Sequence, residues 1–439
     1  MIGLASALEA AAPERVGVVT AVVGLGLEVA GLACAVGDLV AVENDDGAVT
    51  EAEVVASARG VLMCMPLGRL AGVRAGNPVR ARRGGFGVPT GPGLFGRVLD
   101  GLGRPIDGRG PLAGGERVER VPLDHDVPAA MARARIDSPL QTGVRALDTL
   151  TTVGRGQRLG LFAGSGVGKS SLLSMVARGT EAEVSVIALV GERGREVREF
   201  LDDDLGAEGL ARSIVVVATS DEPALMRLRA AFTATRIAES FRDRGSHVLL
   251  MMDSLTRVAM AQREIGLSAG EPPATRGYPP STFALLARLL ERAGTAETGS
   301  VTGIYTVLVD GDDHNEPVAD AARSILDGHV VLDRKLAVMG HYPPIDVLGS
   351  VSRVASKVNP PERTEWAAGL RRVLAARKAA QDLIDVGAYQ RGGNPLVDAA
   401  LDHEAEIDAF LRQGLDDQTP PDVAWEQLAR LTTILGGAR

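Results

Sequence analysis

One short segment in the middle of the chain constrains its fold and chemistry more than any other. The apolar run 158–163 leads into the sequence Ala-Gly-Ser-Gly-Val-Gly-Lys-Ser at residues 163–170, and a helical pattern follows over 171–177. Glycines at this spacing let successive backbone N–H groups point at one oxyanion, and the start of a helix adds a positive dipole end. The segment therefore predicts a loop that holds nucleotide phosphates between a buried strand and a helix.

Two side chains of this phosphate loop are expected to contact the nucleotide and its metal. Lys169 is placed to reach the β- and γ-phosphates of ATP, and the Ser170 hydroxyl to coordinate Mg²⁺. Without nucleotide we expect Lys169 to be a solvated point charge on which the fold does not depend. The predicted nucleotide-binding residues are Ala163, Gly164, Ser165, Gly166, Val167, Gly168, Lys169, Ser170, Ser171 and Arg193.

Two acidic residues follow apolar runs that have the length of strands. The run 248–252 ends at Asp253, and the run 184–190 is followed by Gly191 and Glu192. In parallel sheets, ligands bind beyond the carboxyl ends of the strands, so both carboxylates are expected beside the phosphate loop. We interpret Asp253 as a metal ligand together with Ser170, and Glu192 as the general base that activates the attacking water.

The apolar pattern predicts two different kinds of region before the C-terminal part. Residues 16–84 carry short Val/Leu runs with the hairpin signal Asp46-Gly47, which is typical of a small barrel or sandwich. Strand-like runs then alternate with longer helical patterns, which favours a mostly parallel sheet covered by helices on both faces. The strands predicted for this sheet are 158–163, 184–191, 213–219, 247–254 and 301–310.

The last part of the chain reads as helical. Asn394-Pro395 is a helix-start pair, and we predict one apolar stripe from Leu396 through Ile407 behind it. A further helix is predicted over 424–435. At the other end, the Ala-rich segment 1–12 is either a frayed terminus or a docking helix for a partner.

Composition and charge favour a cytoplasmic protein. The net charge is −9, which lowers the expectation of a nucleic-acid partner. The cysteines Cys34 and Cys64 are too few for a disulfide framework. No run approaches the roughly 20 apolar residues of a membrane span. The first basic residue is Arg15, so no secretory signal is expected.

Several of these segments are similar to the rotary ATPase family. The sequences Gly-Glu-Arg at 191–193, Asp-Ser-Leu-Thr-Arg at 253–257 and Ser-Val-Ser-Arg-Val at 350–354 resemble the catalytic subunits of the F-type synthase. The stretches 96–107 and 141–158 resemble the family's segments that lead into the nucleotide-binding core. The resemblance covers nearly the whole chain and is most specific in the middle.

Four further segments narrow the resemblance to the ATPases of type III protein export. Residues 270–281 and 386–392 look like that group as a whole, and residues 25–31 and 311–320 resemble its flagellar branch. The ATPase of a virulence-type secretion system is so similar that it stays as an alternative. The F-type synthase subunit itself is disfavoured by 270–281.

The resemblance implies a multi-domain α/β protein with three domains. They are an N-terminal β-barrel with a short docking segment at 1–84, a RecA-like ATP-hydrolysing domain at 85–358, and a helical domain at 359–439. It also implies a homohexameric ring whose sites lie between neighbours. Arg353 matches the family's arginine finger, which reaches the nucleotide of the adjacent subunit, and Glu192 matches the catalytic carboxylate.

The implied partners are proteins rather than nucleic acids. They are the flagellar export apparatus, a regulatory stator-like subunit, a central-stalk-like subunit, and export substrates with their chaperones. Association with the cytoplasmic face of the inner membrane is expected through these partners only.

Two alternative functions, from other classes of protein, can be tested simply. A transcription-termination RNA helicase shares the core but needs aromatic stacking platforms, and Phe86 and Phe95 are the only aromatics in the N-terminal part. A nucleotide-binding assembly subunit without turnover is disfavoured by Glu192, and a turnover assay decides.

Overall fold

The computed structural model describes residues 15–82, 86–112, 117–309 and 316–436. Within them lie a closed antiparallel barrel, a mostly parallel sheet with helices on both faces, and a C-terminal helical region. This architecture confirms the predicted fold class. The segment 1–12 and residues 311–315 fall outside the described residues, and the domain limits at 84/85 and 358/359 stay predictions.

The N-terminal region is a barrel rather than a sandwich. Its six strands close in the order β1-β2-β5-β4-β3-β6, and alternate apolar side chains such as Val40 and Val42 point inward. The predicted turn at Asp46-Gly47 joins β3 to β4, and the Asp46 carboxylate accepts from the N–H of Ala48 at 3.0 Å. The strands are β1 (Val16–Val23), β2 (Gly26–Ala30), β3 (Leu39–Glu43), β4 (Val49–Ala58), β5 (Val61–Pro66) and β6 (Pro78–Ala81).

The central sheet contains all five predicted strands and several shorter ones. Its order is β17-β16-β10-β15-β13-β11-β12-β8, with β14 paired to β15, and only β14 and β17 run antiparallel to their neighbours. The central strands are buried on both faces, which explains why they are mainly apolar along their length instead of alternating with polar residues. The strands are β8 (Val98–Asp100), β10 (Arg158–Ala163), β11 (Val184–Glu192), β12 (Ser213–Thr219), β13 (His247–Asp253), β14 (Gly294–Thr295), β15 (Ser300–Leu308), β16 (Gly328–Val331) and β17 (Val351–Ser352), and β7 (Gly87–Thr90) pairs separately with β9 (Glu119–Pro122).

Helices cover both faces of this sheet and form two apolar cores against it. The helix predicted over 171–177 begins two residues earlier, at Lys169, and follows the phosphate loop directly. The helices of the central region are α1 (Lys169–Gly179), α2 (Gly194–Glu199), α3 (Gly206–Ala211), α4 (Ala224–Arg242), α5 (Leu255–Ser268), α6 (Pro280–Glu291), α7 (Pro317–Ile325), α8 (Arg334–Val338) and α9 (Ala355–Val358).

The C-terminal region is helical, with one correction to the predicted stripe. Asn394 caps its helix as predicted, because its side chain accepts from the N–H of Leu396. The helix ends at Asp402, however, and the chain turns at His403, so Ile407 lies on the next helix. None of the helices among the described residues is long and apolar enough to cross a membrane. The helices are α10 (Pro361–Ala379), α11 (Gln381–Asp385), α12 (Pro395–Asp402), α13 (Glu404–Leu411) and α14 (Pro421–Ile434).

Buried or half-buried guanidinium groups join the three regions. Arg229 of α4 donates to the Glu53 carboxylate of the barrel strand β4 at 2.7 Å. Arg145 of the central region donates to the carbonyl of Phe410 at 3.1 Å and to the Thr419 hydroxyl at 3.0 Å, both in the helical region. Because a guanidinium carries several donors in a fixed fork, these bonds hold neighbouring regions in a defined orientation.

Candidate active site

The predicted site residues come together at one edge of the central sheet. β10, β13 and β11 are parallel strands separated in the sheet only by β15, so their carboxyl ends meet at that edge. The phosphate loop follows β10, Asp253 ends β13 and Glu192 ends β11. The strand ends therefore converge on one site, as a parallel sheet requires.

The phosphate loop has the backbone that the glycine pattern predicts. Gly166 and Gly168 have φ angles of 73° and 96°, a left-handed conformation that favours glycine. A Cβ on Gly168 would lie 3.5 Å from the Tyr342 ring, an ordinary van der Waals contact, so the backbone angle rather than crowding favours glycine there. Gly168 is the N-cap of α1, so the first N–H groups of that helix face the loop.

Lys169 is paired with two carboxylates, which corrects the expectation of a solvated charge. Its Nζ lies 2.5 Å from Oδ1 of Asp253 and 3.4 Å from Oε1 of Glu192. The side chain is only 12% exposed. Burial alone lowers the pKa of a lysine, but the two carboxylates outweigh it and raise the pKa of Lys169. The ammonium therefore stays charged and offsets part of the negative charge of the acidic pair.

Thr306 supports Asp253 and is a residue that the sequence interpretation missed. Its hydroxyl donates to Oδ1 of Asp253 at 2.8 Å from the neighbouring strand β15. The hydroxyl is fully buried, and the carboxylate side chain is 6% exposed. Thr306 is one of several hydroxyl-bearing residues in β15, so the sequence carries no signal that singles it out. The hydrogen bond fixes the direction in which Asp253 faces the site.

Glu192 has the electrostatic environment of a general base. Burial and, after it, the nearby Asp253 carboxylate raise the pKa of its carboxyl group to about 7, against the opposing effect of Lys169. A bulge between Val190 and Glu192 turns the side chain toward the site. Gly191 is required there, because its φ is 73° and a Cβ would meet the Arg257 side chain at 2.9 Å.

The donor set fits a magnesium ion. Ser170 and Asp253 offer a hydroxyl and a carboxylate, the hard oxygen ligands that Mg²⁺ prefers. Mg²⁺ in such sites uses one or two carboxylates and completes its shell with water and substrate phosphates. Accordingly, the described part of the chain holds no cluster of three or more His, Cys, Asp or Glu residues suited to a metal.

Two predicted site residues lie away from this cluster. The Arg193 side chain is 78% exposed and pairs with Glu196 at 3.5 Å. Arg353 follows β17, whose Ser352 pairs with Gly328 at the start of β16. Arg353 is therefore at the amino-terminal edge of the sheet, opposite Lys169. β10 alone is about 17 Å long, so Arg353 does not reach the site of its own chain.

A cleft beside the phosphate loop is a candidate base pocket that the sequence interpretation did not place. It is lined by the Tyr342 ring, Pro343 and Pro344 on one side and by Leu172 and Met175 of α1 on the other. Tyr342 is about half exposed. An aromatic face and an apolar floor next to the phosphate loop suit a planar purine.

Comparison with known proteins identifies two matching families. The nucleotide-binding domain of the ATP synthase alpha/beta family matches residues 143–352, and the C-terminal domain of the T3SS ATPase EscN family matches residues 359–430. The flagellum-specific ATP synthase of Bacillus subtilis is 51% identical over 425 residues, which cover 96% of each chain. The type 3 secretion system ATPase of Xanthomonas euvesicatoria is 49% identical over 420 residues, 95% of this chain and 94% of that one.

Solved structures give the same result for the fold. The assembled ATPase EscN of enteropathogenic E. coli superposes with a TM-score of 0.89 at 41% identity, over 95% of this chain and 100% of that one. EscN in complex with its central stalk EscO superposes with a TM-score of 0.86 at 41% identity, with the same coverage. The similarity therefore extends through the barrel, the central sheet and the helical region.

Proposed function

This chain belongs to the family of flagellum-specific and type 3 secretion ATPases, and we propose that it is a flagellar member whose catalytic centre lies between neighbouring subunits. It is an ATP hydrolase that energises type III protein export. The observation that supports the centre is the contact of Lys169 with Asp253 and Glu192 at the end of the phosphate loop. The family's chemistry needs a phosphate-binding cation, a metal-binding carboxylate and a base, and here the candidate cation contacts both carboxylates.

In this proposal, ATP binding replaces the carboxylate partner of Lys169 with phosphate groups. The ammonium turns from Asp253 to the β- and γ-phosphates, and the freed carboxylate oxygen becomes available to the metal with Ser170. Mg²⁺, when bound, neutralises charge on the phosphate oxygens. The backbone N–H groups of the loop hold the phosphates, and the Tyr342 cleft takes the base. The planar fork of Arg353 from the next subunit then faces the γ-phosphate.

Glu192 accepts the proton of the attacking water. This role predicts both the effect of replacing Glu192 and the pH dependence of wild-type turnover. Glu192→Gln should bind ATP and lose about 10²–10⁴-fold in turnover, because the amide cannot take a proton. In the wild-type protein, kcat/KM should fall as the pH drops through about 7, where the Glu192 carboxylate becomes protonated. Steady-state kinetics from pH 5.5 to 9, with nucleotide binding measured separately, tests both. A loss below tenfold in the variant would mean that another group is the base.

A site completed by a neighbour also predicts a dependence on protein concentration. Specific activity should rise as the protein is concentrated from a monomeric to an assembled range, because a monomer lacks the second half of the site. Turnover measured beside particle mass in the same samples tests this. Constant specific activity across the transition contradicts a shared site. The same assay with added RNA tests the helicase alternative, which requires stimulation.

The flagellar assignment rests on sequence segments rather than on overall identity. The similarity to the Bacillus subtilis flagellar protein and to the Xanthomonas secretion ATPase differs by only two percentage points, 51% against 49%. Residues 25–31 and 311–320 support the flagellar member, whereas the T3SS C-terminal match and the EscN structures suit a virulence system equally. Disruption of the gene should abolish flagellar filament assembly and motility. Normal filaments with lost effector secretion would instead identify the virulence system.

The proposed partners follow from this assignment. A homohexameric ring agrees with the assembled form of EscN, and a central-stalk-like subunit agrees with the EscN–EscO complex. We place the ring at the cytoplasmic face of the export apparatus, held there by a regulatory subunit and visited by substrates with their chaperones. The domain limits 1–84, 85–358 and 359–439 belong to the same proposal, and the start of the C-terminal family match at residue 359 supports the second limit.

A further inference from the structure

The segment that carries Arg353 is anchored by its backbone, while its side chain is almost free. The N–H of Arg353 donates to the carbonyl of Asp327 at 3.0 Å. The guanidinium makes one hydrogen bond, of 3.3 Å, to the carbonyl of Arg323 in α7. Among the described residues, no carboxylate lies within 4 Å of it. Its position is therefore set by the backbone, and the backbone is held by few contacts, because β17 is only two residues long.

Gln157 holds this anchor from the start of β10. Its amide Nε2 donates to the carbonyl of Asp327 at 2.9 Å and to the hydroxyl of Ser352 at 3.1 Å. Asp327 and Ser352 are the two residues that fix the backbone of Arg353 from either side. The Gln157 side chain thus bridges Asp327, whose carbonyl accepts from the N–H of Arg353, and Ser352, which precedes Arg353 in the chain.

The bridging amide is itself fixed in orientation. Gln157 is fully buried, and its Oε1 accepts from the N–H of Gly154 at 2.9 Å. The Ser352 hydroxyl accepts from Gln157 and donates to the carbonyl of Thr152 at 2.7 Å. All amide and hydroxyl groups of this network have partners, so the arrangement is specific and a slip of the segment would leave buried polar groups unsatisfied.

We propose that Gln157 is a positioning residue for the trans-acting Arg353. It does not touch the nucleotide of its own chain, because it lies at the amino-terminal end of β10 and the phosphate loop lies at the other end. Its contribution reaches the reaction through the direction of the Arg353 side chain in the neighbour's site. The inference rests on the proposed finger role of Arg353.

Gln157→Met removes the amide and keeps the volume of the side chain. A misplacement of about 1 Å far from the chemistry can cost about 10²-fold in rate, so we expect kcat to fall about 10–100-fold. KM and ATP binding should change little, because a finger acts on the transition state. Gln262→Met is the matched control, since Gln262 is also buried and donates one bond to Ser281, away from Arg353. It should keep normal turnover.

Two readouts separate positioning from a structural defect. The double variant Gln157→Met/Arg353→Ala should be no slower than Arg353→Ala alone, because Gln157 acts only through the finger. Mixing Gln157→Met with Lys169→Ala should restore partial activity, since some interfaces then pair an intact phosphate loop with an intact finger. A defect that reached the phosphate loop of the Gln157→Met chain would leave that mixture inactive.

The outcomes also separate this inference from the finger assignment. Full activity of Arg353→Ala would overturn the finger, and the inference with it. Two other outcomes would overturn only the role of Gln157. In the first, Arg353→Ala is slow, but the double variant is slower still by the factor that Gln157→Met costs alone. In the second, Gln157→Met has a normal kcat. If Gln157→Met does not fold, Ser352→Ala removes one bond of the same network, and its loss should likewise disappear in the Arg353→Ala background.

Discussion

Lys169→Ala should abolish ATP hydrolysis. The ammonium is the cation that the phosphate loop offers to the β- and γ-phosphates, and its Nζ already lies 2.5 Å from the carboxylate that would bind the metal. Without it, Asp253 and Glu192 lose their directly contacting cation and only the smaller effect of Arg257 still opposes protonation of Glu192, so the pKa of Glu192 should rise above its already raised value of about 7. At neutral pH the base would then be protonated as well, so two functions are lost together.

The pairing of Lys169 also predicts a stability effect that a solvated lysine would not have. Removing one partner of a buried ion pair costs about 3–5 kcal/mol when the other charge stays unpaired. Protonation of Glu192 limits this cost, so we expect a lower melting temperature but a folded protein.

Lys169→Arg is the matched control for the loss of charge. It keeps the positive charge beside Asp253, so it should melt near the wild-type temperature while hydrolysing poorly, because a guanidinium fork differs in shape from a compact ammonium. Calorimetry and turnover of both variants test the pair. Normal turnover by folded Lys169→Ala protein would contradict the assignment of the loop.

The parts of the site that the sequence predicted are those with local signals. The phosphate loop, Asp253 and Glu192 each follow an apolar run, and the runs formed strands within two residues of their predicted ends, as in the predicted 301–310 and the observed Ser300–Leu308. Parallel pairing then brings the strand ends together without further information. The short edge strands β8 and β17, and the short strand β16 next to β17, carried no such run and were not predicted.

The parts that the sequence did not predict depend on contacts between distant segments. Thr306 meets Asp253 only because β15 and β13 are neighbours, and Gln157 meets Ser352 across 195 residues of chain. Lys169 was expected in solvent because its pairing needs two other strand ends. Ile407 was assigned to the wrong helix because the turn at His403 has no glycine or proline to mark it.

Arg353→Ala should bind ATP nearly normally and hydrolyse it very slowly. An arginine that stabilises the charge of the phosphoryl-transfer transition state is worth about 10³–10⁵-fold in turnover. The structure supports action in trans, because Arg353 lies at the edge of the sheet opposite Lys169, Glu192 and Asp253. Loss of the side chain should leave the fold intact, since within the described part of the chain the exposed guanidinium makes only the single bond to Arg323. Nucleotide affinity, turnover and melting temperature measured together test this.

Mixed rings give the sharper test of action in trans. Lys169→Ala lacks the cation of the phosphate loop and keeps the finger, whereas Arg353→Ala lacks the finger and keeps the loop. In a ring formed from both, some interfaces place an intact loop against an intact finger, so partial activity should return although each variant alone is inactive. The double variant Lys169→Ala/Arg353→Ala mixed with Lys169→Ala is the control, because none of its interfaces has an intact loop and it should stay inactive. Mass measurement should show that mixed rings form. If they form and the mixture stays inactive, the sites are not independent sites completed in trans.

Full activity of Arg353→Ala alone would place the finger elsewhere. Arg257, whose side chain packs against Gly191 beside Glu192, would then be the next residue to replace.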